Sequence, residues 1–529
     1  MVSSMPRWSW WLLVPIGVLG SWPWLAFNRL YDPDEFEHLH AAKCVADGLL
    51  PYRDYFEHHG PLTYYILAPF VSLMGDNPHL LTVHRAISGL WMLIAVAAVV
   101  AIVGQRRVGS LSLGLAWLFS FPWFLEKAVE GRPDIPAATL MAWSLWLTRR
   151  AALSSGWGWV LAAGLAMGTA SLFTQKTAFL AIGIVIGGMI TRGANGRTNT
   201  GSIIVGFLGF VIPWIAAGLF FHRAGGLEAF LQRTLITPLT WPSHPKNADE
   251  FLLHRLGNVI SWAPGHLAVL AAAIAIGFRR LWNVRRLRSG EAIAWCGLLG
   301  HLLGASFVPA YLQYYLLAAP IAAVLVATAS PAFFNMRPIV VGSLVLLAFV
   351  IAAVPRFAEL KSLAFNPIST IDLASISMLT LMVAIALIGV CRTRALRLVL
   401  VSSILAAAFA PGLGRYVVYH RYWAAADRQR QDLIAFGELP PGPVLDGFSG
   451  LGCLRPHASY WWWINHHSLP LMRKEGALQG VLELVRRRVP AIVVIDDGVE
   501  RVGGGIVQLL YEGYDLIEFR GRRLFIRRS

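Results

Sequence analysis

The stretch Tyr31-Asp-Pro-Asp-Glu-Phe-Glu-His-Leu-His40, continued by Tyr52-Arg-Asp-Tyr-Phe-Glu-His-His-Gly-Pro61, decides how the chain is read. It comes just after the first apolar segment, where a membrane protein leaves the bilayer. Seven of the 29 acids of the 529-residue chain (Asp32, Asp34, Glu35, Glu37, Asp47, Asp54, Glu57) fall between residues 31 and 61, and the chain beyond is mostly apolar or basic. His38, His40, His58 and His59 join them, interleaved with Tyr31, Phe36, Tyr52, Tyr55 and Phe56. Clustered ionisable groups at a membrane surface point to proton transfer or metal binding, because both require such groups to converge.

Outward from this window the chain is apolar. It is 56% hydrophobic and only 14% charged, a composition that excludes an ordinary soluble domain. The expected fold class is mainly α: a polytopic transmembrane helical bundle of about thirteen spans, each near the ~20 residues needed to cross the hydrocarbon. A small C-terminal α/β domain completes the chain. The first span covers Trp8–Phe27 and reads as uncleaved. The others run through roughly 83–104, 109–125, 134–148, 157–174, 177–191, 201–221, 261–278, 292–308, 314–330, 338–354, 371–390 and 396–412. Residues 31–78 form the first outer loop, with interfacial helices at Glu35–Asp47 and Pro61–Met74. Residues 1–412 make the membrane domain and 413–529 the tail domain.

A net charge of +16 suggests nucleic acid at first sight. The arginines instead fall on alternate connections, as the positive-inside rule expects, so no nucleic-acid partner is implied. Arg7, Arg106-Arg107, Arg149-Arg150 and Arg279-Arg280 mark the cytoplasmic side. That puts the protein in the cytoplasmic (inner) membrane, with its N-terminus inside and the acidic loop and tail domain outside. In the tail, Ala424–Phe436 reads as a polar helix, Val444–Asp446 and Ala491–Ile495 as strands, Gln479–Arg488 as an amphipathic helix, and Leu516–Phe519 with Leu524–Arg527 as a closing hairpin. Trp461-Trp462-Trp463 are expected to pack this domain on the membrane interface. Cys44, Cys296, Cys391 and Cys453 imply no disulfide framework.

Asp34 and Glu35 open a helix after Pro33, where carboxylates suit the positive end of the dipole. Simple N-capping by Asp34 would account for one acid but not for Glu35, Glu37, His38 and His40 together. The arrangement resembles the GT-C superfamily of membrane glycosyltransferases, in the branch similar to protein mannosyltransferases and lipid A aminoarabinose transferases. In that group an Asp-Glu pair lies just after the first span and the Asp is held to be the catalytic base. Asp34-Glu35 matches it, and Glu57–Tyr65 resembles the Lys-Pro-Pro-Leu-x-Tyr-like stretch, with His59-Gly60 where some members carry Lys-Pro. Shorter similarities lie at Gly131-Arg-Pro-Asp134, Phe173-Thr-Gln-Lys-Thr177 and Gln313–Pro320.

The resemblance implies transfer of a sugar, with inversion, from a polyprenyl-phosphate carrier to an acceptor hydroxyl on lipid, protein or glycan. Asp34 and Glu35 are then the catalytic pair. Lys176, Arg132 and Arg85 are the expected ligands of the donor phosphate. Asp134, His59, Tyr64, Tyr314 and Tyr315 are the expected substrate contacts, the last two also suiting an aromatic belt. Arg132 has a competing task, pairing with Glu130 or Asp134. Snorkelling from a helix end is the competing account of Lys176, against which its neighbours are apolar rather than charged. His and carboxylate at close spacing suit a divalent ion, with Glu57, His58 and His38 as its ligands, but no zinc-type spacing is present and no tightly held structural metal is expected. No other cofactor is implied. Two rival readings are a glycan polymerase or ligase using a diphosphate-linked donor, and a secondary transporter. Transporters place ionisable groups at mid-bilayer, whereas these spans are nearly free of charge.

Overall fold

The computed structural model describes residues 9–104, 108–154, 156–194, 200–240, 263–281, 289–307, 312–333, 340, 343, 394–419, 425–465, 468–503 and 505–528. Helix α1 (Leu13–Asn28) enters through a short 3-10 turn at Ser9–Leu12. The first loop carries α2 (Pro33–Ala46) and α3 (Leu62–Met74), and α4 (Leu80–Val103) returns to the bundle. Both expected interfacial helices therefore exist, within two residues of the expected bounds.

Next come α5 (Val108–Ser120) and α6 (Pro122–Lys127), which divide the span expected at 109–125. The cause is local. Pro122 occupies the first turn of α6 and keeps the preceding Phe121 extended, at φ −68° and ψ 116°. Helices α7 (Asp134–Leu153) and α8 (Trp157–Phe173) come after it, and a 3-10 turn at Gln175–Thr177 leads into Ala178–Ala194. Further helices cover Thr200–Arg223, Pro264–Leu281, Ser289–Phe307, Ala319–Phe333 and Arg394–Tyr419.

Among the described residues three helices are long and apolar enough to cross a membrane: Leu80–Val103, Thr200–Arg223 and Tyr314–Ala332. Shorter apolar helices include Val108–Ser120, Trp157–Phe173 and Gln175–Thr191. The span expected at 371–390 lies outside the described residues, as does nearly all of 338–354. The outward faces are what a lipid-facing bundle needs: Ile204, Phe207, Ile215 and Leu219 on Thr200–Arg223 are all exposed.

The tail builds a four-stranded sheet in the order β1-β2-β4-β3. Strand β1 (Val444–Leu445) pairs in parallel with β2 (Ile492–Ile495), and β3 (Tyr514–Phe519) pairs antiparallel with β4 (Arg522–Arg527). Every residue of β2 is buried, as expected for an apolar run at the centre of a sheet. The helix at Ala477–Arg486 buries Val481, Leu482 and Val485, one face of its turn.

The three tryptophans correct an expectation. Trp461, Trp462 and Trp463 are 4–5% exposed and face protein. Trp461 stacks on Phe56 with ring centroids 4.0 Å apart, and the Trp462 indole donates to the Phe56 carbonyl at 3.3 Å. Aromatic area expected at the bilayer interface is used instead to dock the tail domain against the first loop.

Candidate active site

The start of α2 is fixed by a reciprocal cap. Asp32 has extended backbone (φ −73°, ψ 145°) and its carboxylate accepts from the Asp34 amide at 3.1 Å. Glu35, three residues on, accepts from the Asp32 amide at 2.9 Å. The cap is therefore Asp32, and the Asp34 side chain is left for other work.

The adjacent acids differ sharply. Glu35 is fully buried and takes two bonds from Arg85, at 2.8 Å from Nε and 2.6 Å from Nη2, plus one from the Gly131 amide at 2.8 Å. Arg85 is also fully buried and gives its other donors to the carbonyls of Ala26, Arg29 and Leu30, with its guanidinium 4.1 Å from the Tyr31 ring centroid. This geometry makes Glu35 and Arg85 a buried ion pair that joins α1, α2 and α4. Gly131 completes the junction: a Cβ there would lie 2.3 Å from the His84 ring.

Asp34 is partly buried, its side chain 30% exposed, and meets Arg132 at 2.5 Å. Arg132 is the hub of an acidic knot. Its Nη2 also reaches Asp32 at 2.9 Å, Nε reaches Glu130 at 2.5 Å, and Nη1 lies 4.0 Å from Asp134. Lys127 adds contacts to Asp32 at 3.2 Å and Glu130 at 2.9 Å, and Arg29 reaches Glu130 at 3.1 Å. Burial opposes ionisation of Asp32, yet Arg132 and Lys127 outweigh it and hold that carboxyl well below its ordinary range. At Asp34 burial wins: with Asp32 and Glu130 nearby, its carboxyl is raised above the ordinary value although Arg132 opposes the shift. The result is a carboxylate of enhanced basicity beside a fixed positive charge.

Lys176 sits across from Arg132, 3.4 Å from Asp134 and 4.2 Å from the Tyr314 ring centroid. Tyr315 turns inward, packing near Trp123 at 5.7 Å and His301 at 6.4 Å between ring centroids. Asp134, Lys176, Arg132 and Tyr314 are thus brought together, while Tyr315 belongs to the bundle. Sequence reasoning misses Arg29 and Lys127; each is a cation at a helix end with acids within a few residues, the same signal that marks Arg132.

A second cluster adjoins the first. Glu57 is buried and its Oε1 accepts from the amides of His58 and His59 at 2.8 and 3.1 Å and lies 3.0 Å from the His59 ring. Ligand atoms of Glu37, Glu57, His58 and His59 lie within 4.8 Å of one another and could hold a divalent ion. His38 is not in that group. It stands edge-on to His59 at 5.2 Å and near Tyr64 at 6.0 Å, and burial together with the neighbouring histidines pushes its pKa well down. Burial, then Glu57 and Asp34, push the Glu37 carboxyl well up. Tyr64 is fully buried. The loop meets the bundle at Gly60, where a Cβ would lie 2.0 Å from the Leu172 carbonyl oxygen, and Gln175 bonds the His58 carbonyl at 2.9 Å.

The fold of this helical bundle agrees with the resemblance to GT-C membrane glycosyltransferases that the first loop carries. A family model for dolichyl-phosphate-mannose-protein mannosyltransferase matches residues 58–221. The structure is similar to ArnT from Cupriavidus metallidurans in the apo state (TM-score 0.59, 16% identity, covering 98% of this chain and 97% of that one). It is similar also to that protein bound to undecaprenyl phosphate (TM-score 0.57, 17% identity, 98% of each chain). Arabinosyltransferase EmbB from Mycobacterium smegmatis shares the fold at TM-score 0.50 and 16% identity, over 81% of this chain and 42% of that one. A comparison with curated protein sequences finds no match.

Proposed function

We propose that the protein is an integral-membrane glycosyltransferase. It moves a sugar from a polyprenyl-phosphate carrier to an acceptor hydroxyl at the outer face of the membrane. The observation that carries this reading is the division of labour between neighbouring acids: Glu35 is buried with its oxygens bonded, while Asp34 is partly exposed and held by Arg132 at 2.5 Å. Asp34 is the general base. It takes the proton of the acceptor hydroxyl as the oxygen attacks the anomeric carbon, and the bond from that carbon to the carrier phosphate breaks on the opposite face. The departing phosphate gathers charge. Lys176, beside Asp134 and Tyr314, supplies a cation for it, with Arg132 set deeper. The similarity to a protein crystallised with undecaprenyl phosphate supports a carrier of that chemical class.

Purified protein in lipid vesicles, given polyprenyl-phosphate sugars drawn from the host membrane, tests the proposal. Asp34→Asn keeps the shape and removes the base, so transfer falls by about 100- to 10,000-fold. Normal turnover in Asp34→Asn would refute its role. Transfer only from diphosphate-linked donors would replace the carrier while keeping the base.

A further inference from the structure

The second half of α2 points away from the acidic knot, toward the tail domain. His40 and Cys44 are four residues apart on that helix and so share a face, and both are buried, at 1% and 3% exposure. Opposite them stands His457. Its backbone is pinned to β1: the Val444 amide donates to the Pro456 carbonyl at 2.8 Å, and the Ala458 amide donates to the Val444 carbonyl at 2.9 Å. The His40 Nε2 lies 3.0 Å from His457 Nδ1, and Cys44 Sγ lies 3.6 Å from the same nitrogen. All three potential ligand atoms fall within 4.8 Å of one another.

Those separations are close to the edges of a zinc tetrahedron. Bonds of about 2.0 Å to nitrogen and 2.3 Å to sulfur imply about 3.3 Å between two nitrogens and about 3.5 Å between nitrogen and sulfur. The surroundings orient the ligands. His40 Nδ1 donates to the Cys453 carbonyl at 2.9 Å, which fixes the tautomer and leaves the Nε2 lone pair directed at His457. The Trp462 ring covers His40 at 4.0 Å between centroids. The nearby Asp446 carboxylate is already engaged, accepting from Ser449 and Gly452. Three protein ligands are short of the four that zinc takes, and water is its usual fourth ligand in that case.

We propose that His40, Cys44 and His457 bind a zinc-class divalent cation, which clamps the tail domain to the helix that carries Asp34. The site is separate from the Glu37, Glu57, His58 and His59 cluster, which contains no sulfur, and the assignment does not depend on the sugar-transfer reading. On binding, Cys44 loses its thiol proton to solvent. The His457 proton moves from Nδ1 to Nε2, so one proton is released per ion.

Full-length protein in detergent, stripped with a chelator and titrated with Co²⁺ and then Zn²⁺, tests this. The expected result is a thiolate-to-cobalt charge-transfer band that saturates at one ion per chain and is displaced by Zn²⁺. Cys44→Ser abolishes the band, and His457→Ala weakens binding at least tenfold. Zn²⁺ raises the melting temperature of the parent protein but not of either variant. Absence of the band at saturating cobalt overturns the proposal, as does a band that survives Cys44→Ser. Retention of stoichiometric Zn²⁺ by Cys44→Ser and its loss in Glu57→Gln would place the ion in the first-loop cluster instead.

Discussion

Replacing Arg132 by Met separates Asp34, the proposed base, from its charge partner while keeping much of the side-chain volume. Arg132 is 5% exposed and ion-paired to Asp34, Glu130 and Asp32 at 2.5, 2.5 and 2.9 Å. Removing one member of a buried pair typically costs ~3–5 kcal/mol. Lys127 still faces Asp32 and Glu130, so the cost belongs at the lower end, ~3 kcal/mol. Asp34 fares differently, because no second ion pair reaches it among the described residues. Two unit charges ~4 Å apart at an effective dielectric constant near 20 attract by about 4 kcal/mol. With the Asp34 side chain 30% exposed, solvent leaves roughly 1–2 kcal/mol of that. Without Arg132, burial and the remaining acids raise the Asp34 carboxyl further. A base works only when ionised, so the acid limb of kcat/KM moves to higher pH, and rates below it fall about tenfold. Initial transfer rates across pH, with melting curves of the same samples, measure both effects. An acid limb that stays in place in a folded Arg132→Met enzyme would refute the electrostatic link. A uniform loss at every pH with a raised donor KM would instead return Arg132 to the phosphate.

Glu35→Gln leaves the fully buried Arg85 without its charge partner, and should lower stability by ~3–5 kcal/mol, whereas Asp34→Asn should melt like the parent; equal melting of the two variants would sink this contrast. Gly60→Ala drives a methyl against the Leu172 carbonyl, so the loop should detach from α8, visible as faster proteolysis between residues 50 and 62 and loss of transfer. Unchanged cleavage would show that the loop has room to give. In the tail, burial and Asp446 push the Asp496 carboxyl up to about 6 from an ordinary 3.8. The folded form then binds the proton more tightly than the unfolded one, so its contribution to stability grows as pH falls from about 6 toward 3.8 and is lost on return. Melting temperature against pH should show this rise, and Asp496→Asn should flatten it.

Much of the scaffold is legible in the sequence because apolar runs, prolines and glycines act locally. Pro33 and Pro61 mark the bounds of α2 and α3, and β-branched runs between turns mark the tail strands. The site is legible in location but not in assignment. Sequence spacing brings Asp34 and Glu35 to notice together, yet nothing along the chain says that Glu35 turns inward to Arg85, 50 residues on. Arg85 reads from sequence as a cation at an outer helix end. Its burial depends on carbonyls freed at the end of α1, a packing event between segments. The Trp461–Trp463 run misleads for a similar reason, since an aromatic belt and an aromatic domain contact have the same composition.

The Glu35–Arg85–Gly131 junction sets an order on biosynthesis. Asp34 leaves the ribosome early, but the carboxylate beside it has no buried partner until α4 is inserted. The amide that completes the cage arrives 96 residues after Glu35. Arg132, which neutralises Asp34, comes immediately after, and Lys176 only after two more helices. A nascent chain halted before residue 131 therefore carries an acidic loop with no geometry for chemistry. The knot is therefore complete only late, when segments threaded through the membrane at different times close on one another.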